Sequence, residues 1–207
     1  MTLLCGSSPA ADKKKPAFYL RAGQKAEIAG FTAVTAEQKC PNWAWAAGVE
    51  TLLRAQDVAI RQQHWVYKAN AGDVCVPLGN WESLARLIPG EYQLDDGRKV
   101  RLEARYTEGA SIPPDDLIAA LRRGQPVMIA WRGNVYLLHG VLFDEYISLT
   151  GVRRFDIKEM QLTNPSFAEG EERVTSFVKG RDDPAEIQGT LEINATFIKP
   201  PNWLRKE

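Results

Sequence analysis

Gln38–Ala47 reads QKCPNWAWAA, and an apolar run follows it. Trp45, Val49, Leu52 and Leu53 recur at i, i+4, i+7 and i+8, the spacing of one helical face. Asn42 is the candidate N-cap. Ala46, Ala47 and Gly48 are small and would let the helix backbone approach a neighbour closely. The stretch is either a well-packed helix start or the entrance to a catalytic helix whose residue 44, an alanine, carries no reactive atom.

Beyond this stretch the patterns separate. A helix is expected over about 58–69. Another is expected in LGNWESLARLIPG, with Asn80 as cap and Pro89-Gly90 as stop. IPPDDLIAALRRG reads as a helix with proline and acids leading in, basic residues in the last turn and Gly124 ending it. From Gln125 the period shortens. QPVMIAW, NVYLLHGVLFDEY, RRFDIKEMQLTN, EERVTSFVKG and TLEINATFIKP read as strands, with turns at Arg132-Gly133-Asn134 and Thr150-Gly151. Helices first and strands later predict an α+β fold with segregated halves: a helical lobe over about 38–124 and an antiparallel sheet lobe over about 125–207, with a cleft between them. Residues 1–17 are small, polar and lysine-rich and read as a flexible leader. Cys5 there follows a short apolar run with no charged segment before it, which argues against a lipoprotein signal.

The 207 residues are enough for one domain with a real core or for two small lobes. Twenty-six basic and 26 acidic residues cancel, so net charge demands neither nucleic acid nor an anionic membrane as partner. No apolar run approaches the roughly 18–20 residues of a membrane span. The three cysteines have no CxxC spacing, which argues against a structural zinc site. Cys40 and Cys75 are either one bridge or two buried thiols.

Only two histidines occur. His64, in RQQHWVY, reads as a surface or boundary residue. His139 lies inside the apolar VYLLHGVLF, where burying an unpaired imidazole costs about 1–3 kcal/mol, so it needs a reason to be there. Asn164, in QLTNPSF, reads either as a strand-end turn or as an amide that orients an imidazole.

QKCPNWAWAA, LLHGVLF and LTNPS together resemble the active-site segments of papain-like cysteine peptidases, in particular the compact bacterial branch. Gln38 lies six residues before position 44, the family's spacing between its oxyanion glutamine and its nucleophile. Trp45-Ala46 matches the Trp-Ala after the catalytic cysteine. His139 and Asn164 follow in the family's order of base and orienter, 95 and 120 residues after position 44. The resemblance implies a papain-like fold and a peptide or protein substrate, with no cofactor and no metal. It also implies a Cys-His-Asn triad with Gln38 in the oxyanion hole. Trp43, Trp45 and Trp131 are candidate site tryptophans, with Trp43 and Trp131 the candidates to shield the His-Asn bond. Cys40 falls near a structural cysteine of many relatives, which favours the bridge to Cys75. The nucleophile position is occupied by Ala44. Intact Gln38, Trp45, His139 and Asn164 favour an engineered Cys→Ala change over a natural pseudopeptidase. An acyl transferase or deamidase is the further alternative. The compartment stays open, with a secreted or translocated location favoured over a cytoplasmic one.

Overall fold

The computed structural model describes residues 18–110, 112–166 and 173–199, so the expected leader over 1–17, Cys5 included, lies outside the described residues. In chain order the first elements are β1 (Phe18–Glu27), α1 (Phe31–Val34), α2 (Ala44–Arg54), α3 (Gln62–Asn70) and α4 (Trp81–Leu87). β2 (Gly90–Gln93), β3 (Lys99–Glu108), α5 (Pro114–Arg122) and β4 (Val127–Trp131) come next. β5 (Asn134–Ser148), β6 (Arg153–Thr163), β7 (Val174–Val178) and β8 (Ile187–Ile198) complete the set.

All eight strands join one sheet of order β2-β3-β8-β4-β5-β6-β7, with β1 added against β5. Every pairing between these strands is antiparallel. The expected division into a helical lobe over about 38–124 and a sheet lobe over about 125–207 is therefore overturned, and the papain-like two-lobed fold with it. Lys99–Glu108 is the main reason. Its Val100 and Leu102 are buried while Lys99, Arg101 and Glu103 stay exposed, a period-two pattern that makes a strand. That strand pairs over its full length with β8 from the opposite end of the chain. β1 does the same at the N-terminal side by pairing with β5.

Helices cover both faces of the sheet. On one face α2, α3 and α4 bury Trp45, Val49, Leu52, Trp65 and Leu84 against Leu137, Leu191 and Ile193. On the other, α5 buries Leu117, Ile118 and Leu121 against Ile129, Leu138, Val141 and Phe143. Local signals end the elements. Asn80 Oδ1 accepts the Ser83 N–H at 3.0 Å and caps α4. Pro114 sits at the start of α5, where no intrahelical N–H is lost. The β4–β5 hairpin turns on Arg132 and Gly133, with φ of 51° and 74°, the pair of positive values a tight two-residue turn requires. Asn42 does not cap α2. The N-cap is Trp43, without a side-chain bond, and the Asn42 amide donates to Cys75 O at 3.1 Å instead.

Gly48 sets how closely α2 lies on the sheet. A Cβ there would stand 2.8 Å from Met128 Cε and 3.5 Å from Val135 Cγ1. Gly48→Val overfills this contact and should lower unfolding free energy by about 1–3 kcal/mol. Urea denaturation measures it, and an unchanged midpoint would contradict the close packing.

Candidate active site

Ala44 is the first residue of α2. Its backbone N–H belongs to the turn whose donors have no intrahelical partner. The preceding loop is folded tightly, with Trp43 N–H donating to Cys40 O at 2.9 Å and Ala47 N–H to Trp43 O at 2.9 Å. Ala44 is half-buried while Trp45 to Leu53 are buried without a break. A side chain at 44 therefore has partial access to solvent at the positive end of a helix dipole.

The entrance is braced from the segment after α3. Cys40 and Cys75 form a disulfide with Cα atoms 5.9 Å apart. Trp43 Nε1 donates to Val74 O at 2.9 Å, beside the Asn42 bond to Cys75 O. Closing a loop of 35 residues removes unfolded-state entropy equivalent to about 3–4 kcal/mol in the chain-entropy account.

His139 sits where β5 changes partners. On one edge β4 pairs as far as Leu138, β1 begins at Gly140, and Ile28 N–H donates to His139 O at 2.8 Å. On the other edge Leu138 opposes Leu162 and Gly140 opposes Gln161, so His139 is the extra residue of a bulge against β6. The bulge reverses the alternation of the strand. Leu137 faces the α2 core, Leu138 faces the α5 core, and Val141 and Phe143 face the α5 core again. The His139 ring stacks on Phe31 of the α2-side core, with centroids 4.8 Å apart and planes inclined by 14°. Gly140 beside it is tight: a Cβ would lie 2.5 Å from Gln161 Oε1 and 3.2 Å from Glu27 Cβ.

His139 is 9% exposed, and its Nε2 has no hydrogen-bond partner among the described residues. Burial holds the imidazole below its ordinary value of 6.5. The Glu27 carboxylate offsets part of this, and Lys25 adds to it. Gln38 Oε1 and Thr163 Oγ1 are also buried without partners. Thr163 pairs with Leu137, so it shares that residue's face of the sheet. Gln38 reaches the same end of β6 through its N–H, which donates to Pro165 O at 3.2 Å. Unsatisfied buried polar groups are rare in folded proteins and call for an explanation. Here three surround the junction of the Gln38 loop with β5 and β6.

Asn164 lies just past β6, and the structure gives it a turn role. Its Oδ1 accepts the Ser166 N–H at 2.9 Å and the Ser166 hydroxyl at 2.7 Å. Both lone pairs are thus engaged locally, and the expected bond from Asn164 to the His139 ring is not formed. Trp131 is on β4 in the α5-side core, packed against Tyr136 and Phe177, so it does not shield a bond on the α2 side. Trp43 and Trp45 both belong to the α2-side core. His64 is exposed at the side of α3, against Trp65 and Tyr92, away from these residues. The apolar cavity of about 290 Å³ lined by Leu117, Leu138, Phe155 and Phe177 lies under α5, on the face away from α2. Among the described residues no cluster of three or more His, Cys, Asp or Glu could hold a metal. None of their helices is long and apolar enough to cross a membrane.

Sequence reasoning missed the residues that hold the Gln38 loop. Gln62 falls on the helical face of Trp65 and Val66, but Glu50 lies off the face of Trp45, Val49 and Leu52, and periodicity reveals neither its burial nor the polar bonds of the pair. No protein-family model matches this chain, and no curated protein matches it.

The buried imidazole gives a pH dependence with a defined sign. With its folded value lowered, the unfolded chain binds the proton more readily. Stability is therefore full above 6.5 and is lost as pH falls below it. His64, also lowered, first by burial and then by Lys68, acts in the same direction. Thermal melts from about pH 7 down to about pH 5 should show a falling Tm whose slope is shallower in His139→Gln. An equal slope in the two proteins would rule out His139 as its source.

Proposed function

We propose that the chain is the scaffold of a cysteine peptidase whose nucleophile position holds Ala44, so that the protein as it stands is catalytically silent. Three observations support the reading. Position 44 opens α2 at its positive end, the Gln38 loop is tied to the end of β6, and a bulge turns the unpartnered imidazole of His139 to the α2 side.

With a cysteine at 44, the helix terminus and a protonated His139 would both favour thiolate. The thiolate attacks the carbonyl carbon of a peptide bond. The resulting oxyanion takes hydrogen bonds from the Gln38 amide and the backbone N–H of residue 44. His139 passes its proton to the leaving amine, then draws a proton from water, which cleaves the thioester to the free acid. Asn164 enters as the former of the turn that holds Pro165 against Gln38. The catalytic pair is then the thiol and His139. The Ala44 chain lacks the nucleophile, and loss of about 10⁶ in kcat is the scale for removing such a group.

A binding module that holds a peptide without cleaving it is the second reading, favoured by Ala44 itself. The native codon at 44 separates the two. Mass spectrometry of the products would separate hydrolysis from amide exchange or deamidation on the same thiol.

Ala44→Cys supplies the test. At about pH 5.5 an ordinary thiol, with a pKa of about 8.5, is almost wholly protonated. Iodoacetamide should nevertheless label position 44 quickly, while the Ala44 parent, which also carries Cys5, sets the background. Labelling should fall at least tenfold when His139→Ala is added, and the A44C protein should cleave a fluorogenic peptide. Labelling at 44 no faster than at an ordinary thiol would sink the reading.

A further inference from the structure

We propose that Gln62, braced by Glu50, is the positioning residue for Gln38; this rests on the oxyanion role given to Gln38 above. Gln62 is 1% exposed and Glu50 3%, both polar side chains inside the α2–α3 contact. The Gln62 side-chain amide grips the chain on both sides of Gln38. Its Oε1 accepts the Lys39 N–H at 3.0 Å, and its Nε2 donates to Glu37 O at 2.9 Å. One planar amide thus pairs with the carbonyl before residue 38 and the N–H after it, as a neighbouring strand would. Fixing both peptide groups fixes the direction in which the Gln38 side chain leaves the backbone.

The clamp is itself held. Glu50 Oε2 accepts the Gln62 backbone N–H at 2.9 Å and its Nε2 at 3.1 Å, while Oε1 takes the Arg54 guanidinium. Glu50 therefore fixes which end of the Gln62 amide carries the donor. Immediately upstream, Thr51 Oγ1 accepts the Ala36 N–H at 2.9 Å and donates to Ala47 O at 2.8 Å. Glu50 and Thr51 both stand on α2, the helix that begins at position 44. The loop bearing the oxyanion glutamine and the helix bearing the nucleophile position are thereby one rigid unit, and Gln38 N–H completes the frame on Pro165 O. Methionine at 62 would keep the volume and lose both bonds. Glutamate would keep the acceptor, lose the donor and face the Glu50 carboxylate.

The experiment uses the full chain in the A44C background. Gln62→Met should lower kcat on a peptide substrate about 10- to 100-fold, the scale of an ångström's misplacement, with KM within about twofold. Alkylation of the thiol by iodoacetamide should stay within about twofold, because displacement at a saturated carbon develops no oxyanion. Added to Gln38→Ala, Gln62→Met should change kcat by less than about threefold, since its effect passes through Gln38. An unchanged kcat would overturn the proposal. So would a loss that persists in the Gln38→Ala background, or an alkylation rate that falls in step with kcat. If Gln62→Met does not fold, Glu50→Gln takes its place in the same cycle. It keeps an acceptor oxygen but weakens the charge-assisted bonds, with an expected loss of about two- to fivefold that again vanishes with Gln38→Ala. If A44C alone neither alkylates nor turns over, the active-site reading fails at that step, before Gln62 is altered, and the clamp's catalytic role falls with it.

Discussion

The backbone of β5 must satisfy three partners, and the rest of the structure is arranged around that constraint. A strand has two edges. β6 occupies one of them, and β4 and β1 share the other end to end. The chain has to adjust where one partner stops and the next begins, and the adjustment falls at His139. One extra residue there exchanges the faces of the strand, so Leu138, Val141 and Phe143 all serve the α5-side core. Without it, Val141 and Phe143 would point toward α2. The same insertion leaves an imidazole on the α2 side, against Phe31. The placement of the His139 ring and the continuity of the core thus share one origin.

The neighbourhood of His139 is one of the places where the fold departs from full polar satisfaction. Glu50, Gln62 and Thr51 are buried and paired, while Trp45 Nε1, Gln63 Oε1 and Trp65 Nε1 in the helices are buried without hydrogen-bond partners. Around the Gln38 loop, His139 Nε2, Gln38 Oε1 and Thr163 Oγ1 are also left without partners. Each such group costs about 1–3 kcal/mol.

Some of this was legible in the amino acids, and some was not. Asn80 and the Pro-Pro-Asp-Asp lead of α5 mark their helices because capping is local chemistry. β4 to β8 were legible because their apolar residues alternate or run together. Around β1 the stretch AFYLRAGQKAEIAGF suggests an element but not its type: of the ten residues of β1 only Ala26 is buried, and its pairing to β5 is a backbone matter. β3 does alternate, but charged residues between its apolar ones hide the pattern beside the helices that precede it. These two strands decide between one continuous sheet and two lobes, and so the fold class was misread. The bulge at His139 was equally invisible, because it depends on where β4 ends and β1 begins. Gln38 and His139 stood out by residue type, yet Asn164 shows the limit of that signal. The same Asn-Pro pair that suits an orienting amide also suits the turn it makes with Ser166.

The disulfide between Cys40 and Cys75 also determines how the protein would respond to proteolysis. It encloses α2 and α3 in a covalent ring that ends in the exposed stretch Asp73–Pro77. A cut anywhere between the two cysteines opens one backbone bond but leaves two fragments joined, with β1 on one piece and the other seven strands on the other. The mass of such a nicked protein would change only by a water molecule until the bridge was reduced. A cut just beyond Cys75 leaves the ring whole, so the loop's two halves differ in what proteolysis does to the molecule. A cut between the two cysteines would pass unseen in a non-reducing gel, while in the folded protein the sheet, through β1 and β5, still holds the two pieces in register.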